Sequence, residues 1–174
     1  LPKYVGTLMK LELIGKEHPV TEKIGSKKTR YYIEDNFFRF YFRYVHPNKS
    51  EIESGNSGKV LKIIENNFDT FVGAEFENIV KDLFKSPGVN VKLPFSFNMI
   101  GRQWGKIKDA PKGKNTYEVD IVALNDDTKD IDFVECKWQT LSENNAFGIL
   151  NAVQAKADVV QWNNDAGNEY YWGG

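Results

Sequence analysis

The sequence predicts a mixed α/β (α+β) fold in which a mixed sheet is flanked by helices. Three observations carry that expectation. From Val60 onward the segments run helix, extended stretch, strand, strand, helix, strand, an order that supplies a helix for each side of one sheet. Two of those strands, Tyr117–Leu124 and Ile131–Gln139, are rich in β-branched and aromatic residues and are joined by Asn125-Asp126-Asp127, which is turn material. Apolar residues make up 41% of the 174 residues and aromatic residues 14%, enough to fill the core of one domain or a small pair.

Taken in order, Leu1–Leu13 places Val5, Leu8, Met9 and Leu13 at helical spacing. A Gly15-centred turn follows. Two short strand-like runs, Glu17–Glu22 and Arg30–Ile33, then flank the loop Lys23-Ile24-Gly25-Ser26-Lys27-Lys28-Thr29. Helix, strand, basic loop, strand is the second half of a winged helix, so residues 1–36 are expected to be the C-terminal half of such a domain. Its loop is either a wing that touches DNA phosphates through Lys27, Lys28 and Arg30, or a solvated turn. Asp35 or Asn36 can cap the next helix. Six aromatic residues among the eight from Phe37 to Tyr44 exceed what one helix stripe needs. Their density predicts a helix buried between two subdomains rather than a base-stacking platform. The breaker-rich stretches His46–Ser50 and Ser54–Gly58 read as linker and close a segment 37–58.

Val60–Phe84 repeats apolar residues at helical spacing (Phe68, Phe71, Val72, Phe76, Ile79, Val80, Leu83, Phe84) and is stopped by Ser86-Pro87-Gly88. Val89–Trp104 reads as an extended segment or strand pair, followed by a loop that carries Lys106, Lys108, Lys112 and Lys114. Leu141–Trp162 is an amphipathic helix with Phe147, Leu150, Val153, Ala157 and Val160 on one face. Glu169–Trp172 is a last strand.

The chemistry sits in the two central strands. Strand side chains alternate faces, so Glu118 and Asp120 share one face. Phe133, Glu135, Lys137 and Gln139 share a face, and Val134, Cys136 and Trp138 take the other. If the strands pair, Asp120, Glu135 and Lys137 converge. The oxygens of Asp120 and Glu135, with the Cys136 carbonyl, suit a hard magnesium-like ion. Such an ion lowers the pKa of a bound water and neutralises charge on a scissile phosphate. Lys137 would orient that water or stabilise developing phosphorane charge. The plain alternative is a surface ion pair between Glu135 and Lys137 on an edge strand. The apolar flanks Phe133, Val134 and Trp138 argue instead for an interior strand, where unpaired charge is costly. Glu118 is read as a neighbour of the trio.

Other classes are excluded. A net charge of −1 carries no global basic signal, so nucleic-acid binding would rest on local patches. Cys136 is the only cysteine, which rules out a disulfide framework or a cysteine zinc site. It is expected in the core, and its solitude fits a reducing cytoplasmic location. No apolar run approaches the ~20 residues that span a bilayer, so no membrane is expected among the partners. The opening residues do not read as a signal peptide, and none is expected. No Gly-x-x-x-x-Gly-Lys-Ser/Thr loop occurs, so this chain by itself is expected to bind no nucleotide. His18 and His46 lack partners at ligand spacing. The chain opens on Leu1 and closes on Tyr170-Tyr171-Trp172-Gly173-Gly174, and reads as a piece of a longer protein.

Glu118-Val119-Asp120-Ile121-Val122-Ala123 followed by Phe133-Val134-Glu135-Cys136-Lys137-Trp138 resembles the PD-(D/E)XK nuclease superfamily. Val119 stands where that pattern has proline, a departure the superfamily tolerates. More narrowly, the chain from about Asp35 is similar to the C-terminal domain of a family of archaeal ATPases, the DUF234 type. The matching stretches are Asp35-Asn36-Phe37-Phe38-Arg39-Phe40 with Phe42-Arg43, Gly73-Ala74-Glu75-Phe76-Glu77, Gly101-Arg102-Gln103-Trp104 and both central strands.

The resemblance implies a restriction-endonuclease-like sheet over residues 59–174, cut short at the C-terminus. It implies Mg²⁺ or Mn²⁺ as cofactor, DNA as partner, and an absent N-terminal ATPase domain that binds ATP. It adds an acidic ligand on the helix before the sheet. The pattern places that ligand at Glu77, although helical spacing puts Glu75 nearer the apolar stripe and Glu77 off it, so Glu75 stays the alternative. The implied catalytic set is Asp120, Glu135, Lys137 and Glu77, with Asp120, Glu135 and Glu77 on the metal. Arg102, Lys106, Lys108, Gln154 and Lys156 join the basic loop as candidate contacts to nucleic acid, phosphate or water. The expected activity is metal-dependent phosphodiester hydrolysis. The alternatives are a catalytically silent DNA-binding or regulatory module, or a protein-interaction domain that uses the aromatic helix if its rings stand exposed. Oligomeric state is left open.

Overall fold

The computed structural model describes residues 2–23, 25–90 and 93–174. Leu1, Ile24 of the basic loop, and Val91 and Lys92 of the expected extended segment lie outside the described residues. Two compact units form, Leu1–Glu17 with Thr29–Phe71, and His18–Lys28 with Val72–Gly174.

In the first unit, α1 (Pro2–Lys10) leads into the hairpin β1 (Ile14–Glu17) and β2 (Arg30–Ile33), paired antiparallel with Gly15 opposite Tyr32. The turn expected at Gly15 falls earlier, where Glu12 takes a positive φ of 56°. Gly15 is a strand residue for a packing reason. A Cβ there would collide with Glu34 Oε2 and the Tyr32 ring. The strand expected over Glu17–Glu22 is correspondingly displaced to Ile14–Glu17.

α2 (Asn36–Phe40) starts at Asp35, whose carboxylate accepts from the Phe38 amide at 2.9 Å, a side-chain cap on an otherwise orphan donor. It continues through a π-helical turn, Tyr41–Val45, and a 3₁₀ turn, His46–Asn48, into α3 (Lys49–Glu53). The presumed linker is therefore mostly helical, because the proline sits in the first turn of its element, where its missing N–H costs nothing. Tyr44 is buried and donates to the Asn67 carbonyl at 2.9 Å, with Phe40 and Phe71 packed around it. Phe37 and Phe42 are 68% and 50% exposed, against the expectation of a helix buried throughout.

α4 (Ser57–Lys85) passes from the first unit into the second and ends before Pro87, as its sequence dictates. A short α5 (Pro87–Asn90) follows.

The second unit holds a four-stranded mixed sheet in the order β3 (Met99–Lys106), β4 (Thr116–Leu124), β5 (Ile131–Glu135), β6 (Glu169–Gly173). β3, β4 and β5 pair antiparallel, and β6 pairs parallel to β5 through the crossover helix α6 (Glu143–Ala157). Helix starts at Ser142, which caps the Asn145 amide. One face of the sheet, with Val119, Val122, Leu124, Ile131 and Phe133, packs on Val153 and Ala157 of α6, together with Val160 and Val20. The other face, with Ile121, Val134 and Cys136, packs on Phe76, Val80 and Phe84 of α4. Each such buried side chain contributes about 1.5–3 kcal/mol, so both helices are held to the sheet by apolar burial. The fold is the mixed α/β sandwich expected. Among the described residues, no helix is long and apolar enough to cross a membrane.

Candidate functional site

The site is built where β4 enters the sheet and β5 leaves it. Ile121 pairs Val134 in the antiparallel register, which brings Asp120 beside the end of β5. A β-bulge sharpens this placement. Gly101 pairs Val122 but Gln103 pairs Val119, so β4 fits three steps where β3 fits two. Val119 and Val122 consequently both point into the α6-side core, while Ile121 packs on the α4 side. Bulges commonly re-aim a side chain beside a site, and here the re-aimed residue is Asp120. Its Oδ2 accepts from the Cys136 amide at 2.9 Å, and no hydrogen bond from the described residues reaches Oδ1.

Glu135 is 8% exposed and closes β5. Its two oxygens are both engaged: Oε1 accepts from Lys137 Nζ at 2.8 Å and Oε2 from Lys156 Nζ at 2.5 Å. Lys137 comes from the same strand line, two residues on. Lys156 comes from the last turn of α6, beside the buried Ala157. On the α4 side, Glu77 Oε2 accepts from Arg102 Nη2 of β3 at 2.6 Å, and Arg102 Nε lies 3.8 Å from Glu118.

Electrostatics tie these groups into one cluster. Burial raises the carboxyl of Asp120 above its ordinary value, and the charge of Glu135 adds to it. The Cys136 amide and the charges of Lys137 and Lys156 pull the other way without cancelling. Burial likewise raises Glu77, reinforced by the charges of Asp120 and Glu118 and opposed by Arg102. For Lys137, burial alone would lower its pKa. The hydrogen bond to Glu135 and the charges of Glu135, Asp120 and Glu77 outweigh it, so the ammonium is held protonated. The Cys136 thiol is pushed up to about 12 by burial and by the same three carboxylates, so it is inert packing.

Of the expected residues, the fold thus brings together Asp120, Glu135, Lys137, Glu77, Arg102 and Lys156. Glu75 accepts from Asn78 Nδ2 of the same helix at 3.5 Å. Gln154, two residues from Lys156 and so about 200° around the helix, is exposed. Lys106 and Lys108 are exposed at the far end of β3, and Lys27 is exposed on its loop. Lys28 pairs with Glu22 at 2.5 Å. Arg30 belongs to β2 in the first unit. Four features escape the sequence reading: the bulge, the Cys136 amide as donor to Asp120, Arg102 as the ion-pair partner of Glu77, and Lys156 as a partner of Glu135.

Among the described residues no three or more His, Cys, Asp or Glu side chains converge on one point as a metal cage. The donor chemistry still fits a magnesium-like ion. Such ions are usually held by one or two carboxylates, with waters and substrate phosphates completing the shell. Asp120 and Glu135 are two hard-oxygen donors side by side, and the buried carboxyl of Asp120 is raised partly by its neighbour's charge, a penalty that a cation would relieve.

The DUF234 family, described as archaea bacterial proteins of unknown function, matches residues 41–149. An uncharacterized protein of Methanocaldococcus jannaschii is 37% identical over 160 residues, which covers 92% of this chain and 34% of the relative. The chain therefore spans about a third of that relative's length. No solved structure matches.

Proposed function

The chain belongs to the DUF234 family, and on that footing we propose that its second unit is a metal-dependent nuclease domain that hydrolyses DNA phosphodiesters. The observation that carries this reading is the juxtaposition of Asp120, Glu135 and Lys137 at the β4–β5 pairing, with the Cys136 amide fixing Asp120 and the Lys137 ammonium fixing Glu135. This is the trio on which the resemblance to PD-(D/E)XK nucleases rests.

Asp120 and Glu135 would hold Mg²⁺ or Mn²⁺, which when bound supplies an acidified water and neutralises phosphate charge. Lys137, kept protonated by its carboxylate neighbours, donates to the attacking water or to a non-bridging phosphate oxygen. Glu77 keeps its place through Arg102 and adds negative charge beside Asp120, as a second-rank contributor to the cation site. The chain spans 34% of its relative, and the resemblance to the archaeal ATPases implies an ATP-binding domain and the rest of a winged helix in a longer protein, which we take to be cytoplasmic. In that reading Lys27, Lys28 and Arg30 of the wing contact the backbone of bound DNA.

The test is cleavage of single-stranded, duplex and branched DNA by residues 1–174 with Mg²⁺ or Mn²⁺, beside Asp120→Ala and Glu135→Ala. Wild type is expected to cleave and both variants to fail. Equal behaviour of all three overturns the reading.

One observation favours a second reading, a protein-interaction module attached to the ATPase. Phe37 and Phe42 stand 68% and 50% exposed on the aromatic helix. Phe37→Ser with Phe42→Ser should then abolish association with the separately expressed N-terminal portion of the full-length protein, and unchanged association would remove this alternative.

A further inference from the structure

Lys156 approaches the site from a different element than the rest of the cluster, and its ammonium meets Glu135 directly. The α6 backbone beside it is fixed, because Val153 and Ala157 are fully buried against the sheet. The side chain of Lys156 itself is 29% exposed, so its four-carbon stem can swing outward while the helix stays in place. Lys137 is held differently. It sits on the strand line and feels Asp120 and Glu77 as well as Glu135. With both oxygens of Glu135 engaged, at 2.8 Å and 2.5 Å, a cation that takes Glu135 as ligand has to displace an ammonium. Both ammonium groups have a path to solvent, their side chains being 37% exposed for Lys137 and 29% for Lys156, but Lys137 is also drawn to Asp120 and Glu77, so Lys156, carried by a separate element, is the one free to leave.

We propose that Lys156 is a resident counter-ion of Glu135 that a divalent cation displaces, and that the released ammonium then binds a backbone phosphate of the DNA strand. The inference rests on the nuclease reading and adds a coupling to it. In the free protein, Lys156 occupies the Oε2 side of the ligand and opposes cation entry. With DNA present, the displaced ammonium gains a phosphate partner, so cation and strand favour each other's binding. Linkage makes that coupling reciprocal. Lys156 is thus a positioning residue, holding Glu135 oriented through its Oε2 until the cation arrives, and afterwards a contact to the substrate backbone.

The test reads binding rather than turnover. Mn²⁺ is titrated calorimetrically into wild type, Lys156→Met and Lys156→Arg, each with and without a short single-stranded DNA whose linkages are phosphorothioates. Lys156→Met is expected to bind Mn²⁺ at least about fivefold more tightly than wild type, and Lys156→Arg to resemble wild type. DNA should tighten Mn²⁺ binding at least about fivefold in wild type and little in Lys156→Met. Lys156→Gln repeats the comparison if Lys156→Met does not fold. Equal or weaker Mn²⁺ binding by the neutral variants overturns the counter-ion role. Tighter binding with undiminished DNA coupling overturns the phosphate contact. Mn²⁺ binding to none of the proteins overturns the metal-dependent reading itself, and this inference with it.

Discussion

Asp132 and Glu135 are two carboxylates on one buried strand, and they face opposite sides of the sheet. Glu135 looks toward α6 and accepts hydrogen bonds from Lys137 and Lys156. Asp132 is 1% exposed, and neither of its oxygens has a hydrogen-bond partner in proper geometry. Burial pushes its carboxyl up to about 7, an effect that the nearby Phe133 amide and Trp172 indole offset only in part. Burial is thus common to both, and partners separate them. Where the fold supplies ammonium groups, a buried carboxylate is paired and stands ready as a cation ligand. Where it supplies none, the cheaper state is the protonated acid.

The strongest way to sharpen that contrast is pH. The folded-state pKa of Asp132 is raised from 3.8 to about 7, so its contribution to stability is fully present below about 4 and is lost as pH rises through about 7. Urea unfolding at pH 4 and pH 8 should show wild type losing up to about 4 kcal/mol from this group, and Asp132→Asn should be spared that loss. The raised Asp120 and Glu77 act in the same direction and remain in the variant, so the difference between the two proteins isolates Asp132.

Next in size is Glu135→Gln, which keeps the shape but removes the charge. It should lower cleavage by at least about 10²-fold, or about 3 kcal/mol, measured by single-turnover kinetics. Thermal unfolding with Mg²⁺ at tenfold its dissociation constant should show about 1.4 kcal/mol of stabilisation in wild type and none in Glu135→Gln. The smallest effect is the control. Lys49 and Glu53 form an ion pair at 3.5 Å with both side chains well exposed, and Lys49→Ala should change stability by no more than about 0.5 kcal/mol. A large effect there would blur the distinction between buried and exposed carboxylates.

Much of this was legible in the residues. The alternation through Phe133-Val134-Glu135-Cys136 assigns faces as the structure does, with Phe133 in the α6-side core and Val134 and Cys136 against α4. Asp35 as a cap, the α4 stop before Pro87 and the final strand also follow from local rules. What the sequence hides is long-range. Lys156 is 21 residues from Glu135, and Arg102 is 25 from Glu77, and nothing in either local pattern names the partner. The bulge at Asp120-Ile121 is set by pairing with β3, a strand distant in sequence, and nothing within β4 itself marks it. The aromatic helix misled because ring density says how much surface is apolar, not which rings are covered.

The most direct test of the central claim is an anomalous diffraction measurement on crystals soaked in Mn²⁺. The account predicts a peak bridging the carboxylates of Asp120 and Glu135, with Lys156 Nζ withdrawn from Glu135. Saturating Mn²⁺ with no peak at these two side chains, and Lys156 still seated on Glu135, would contradict it.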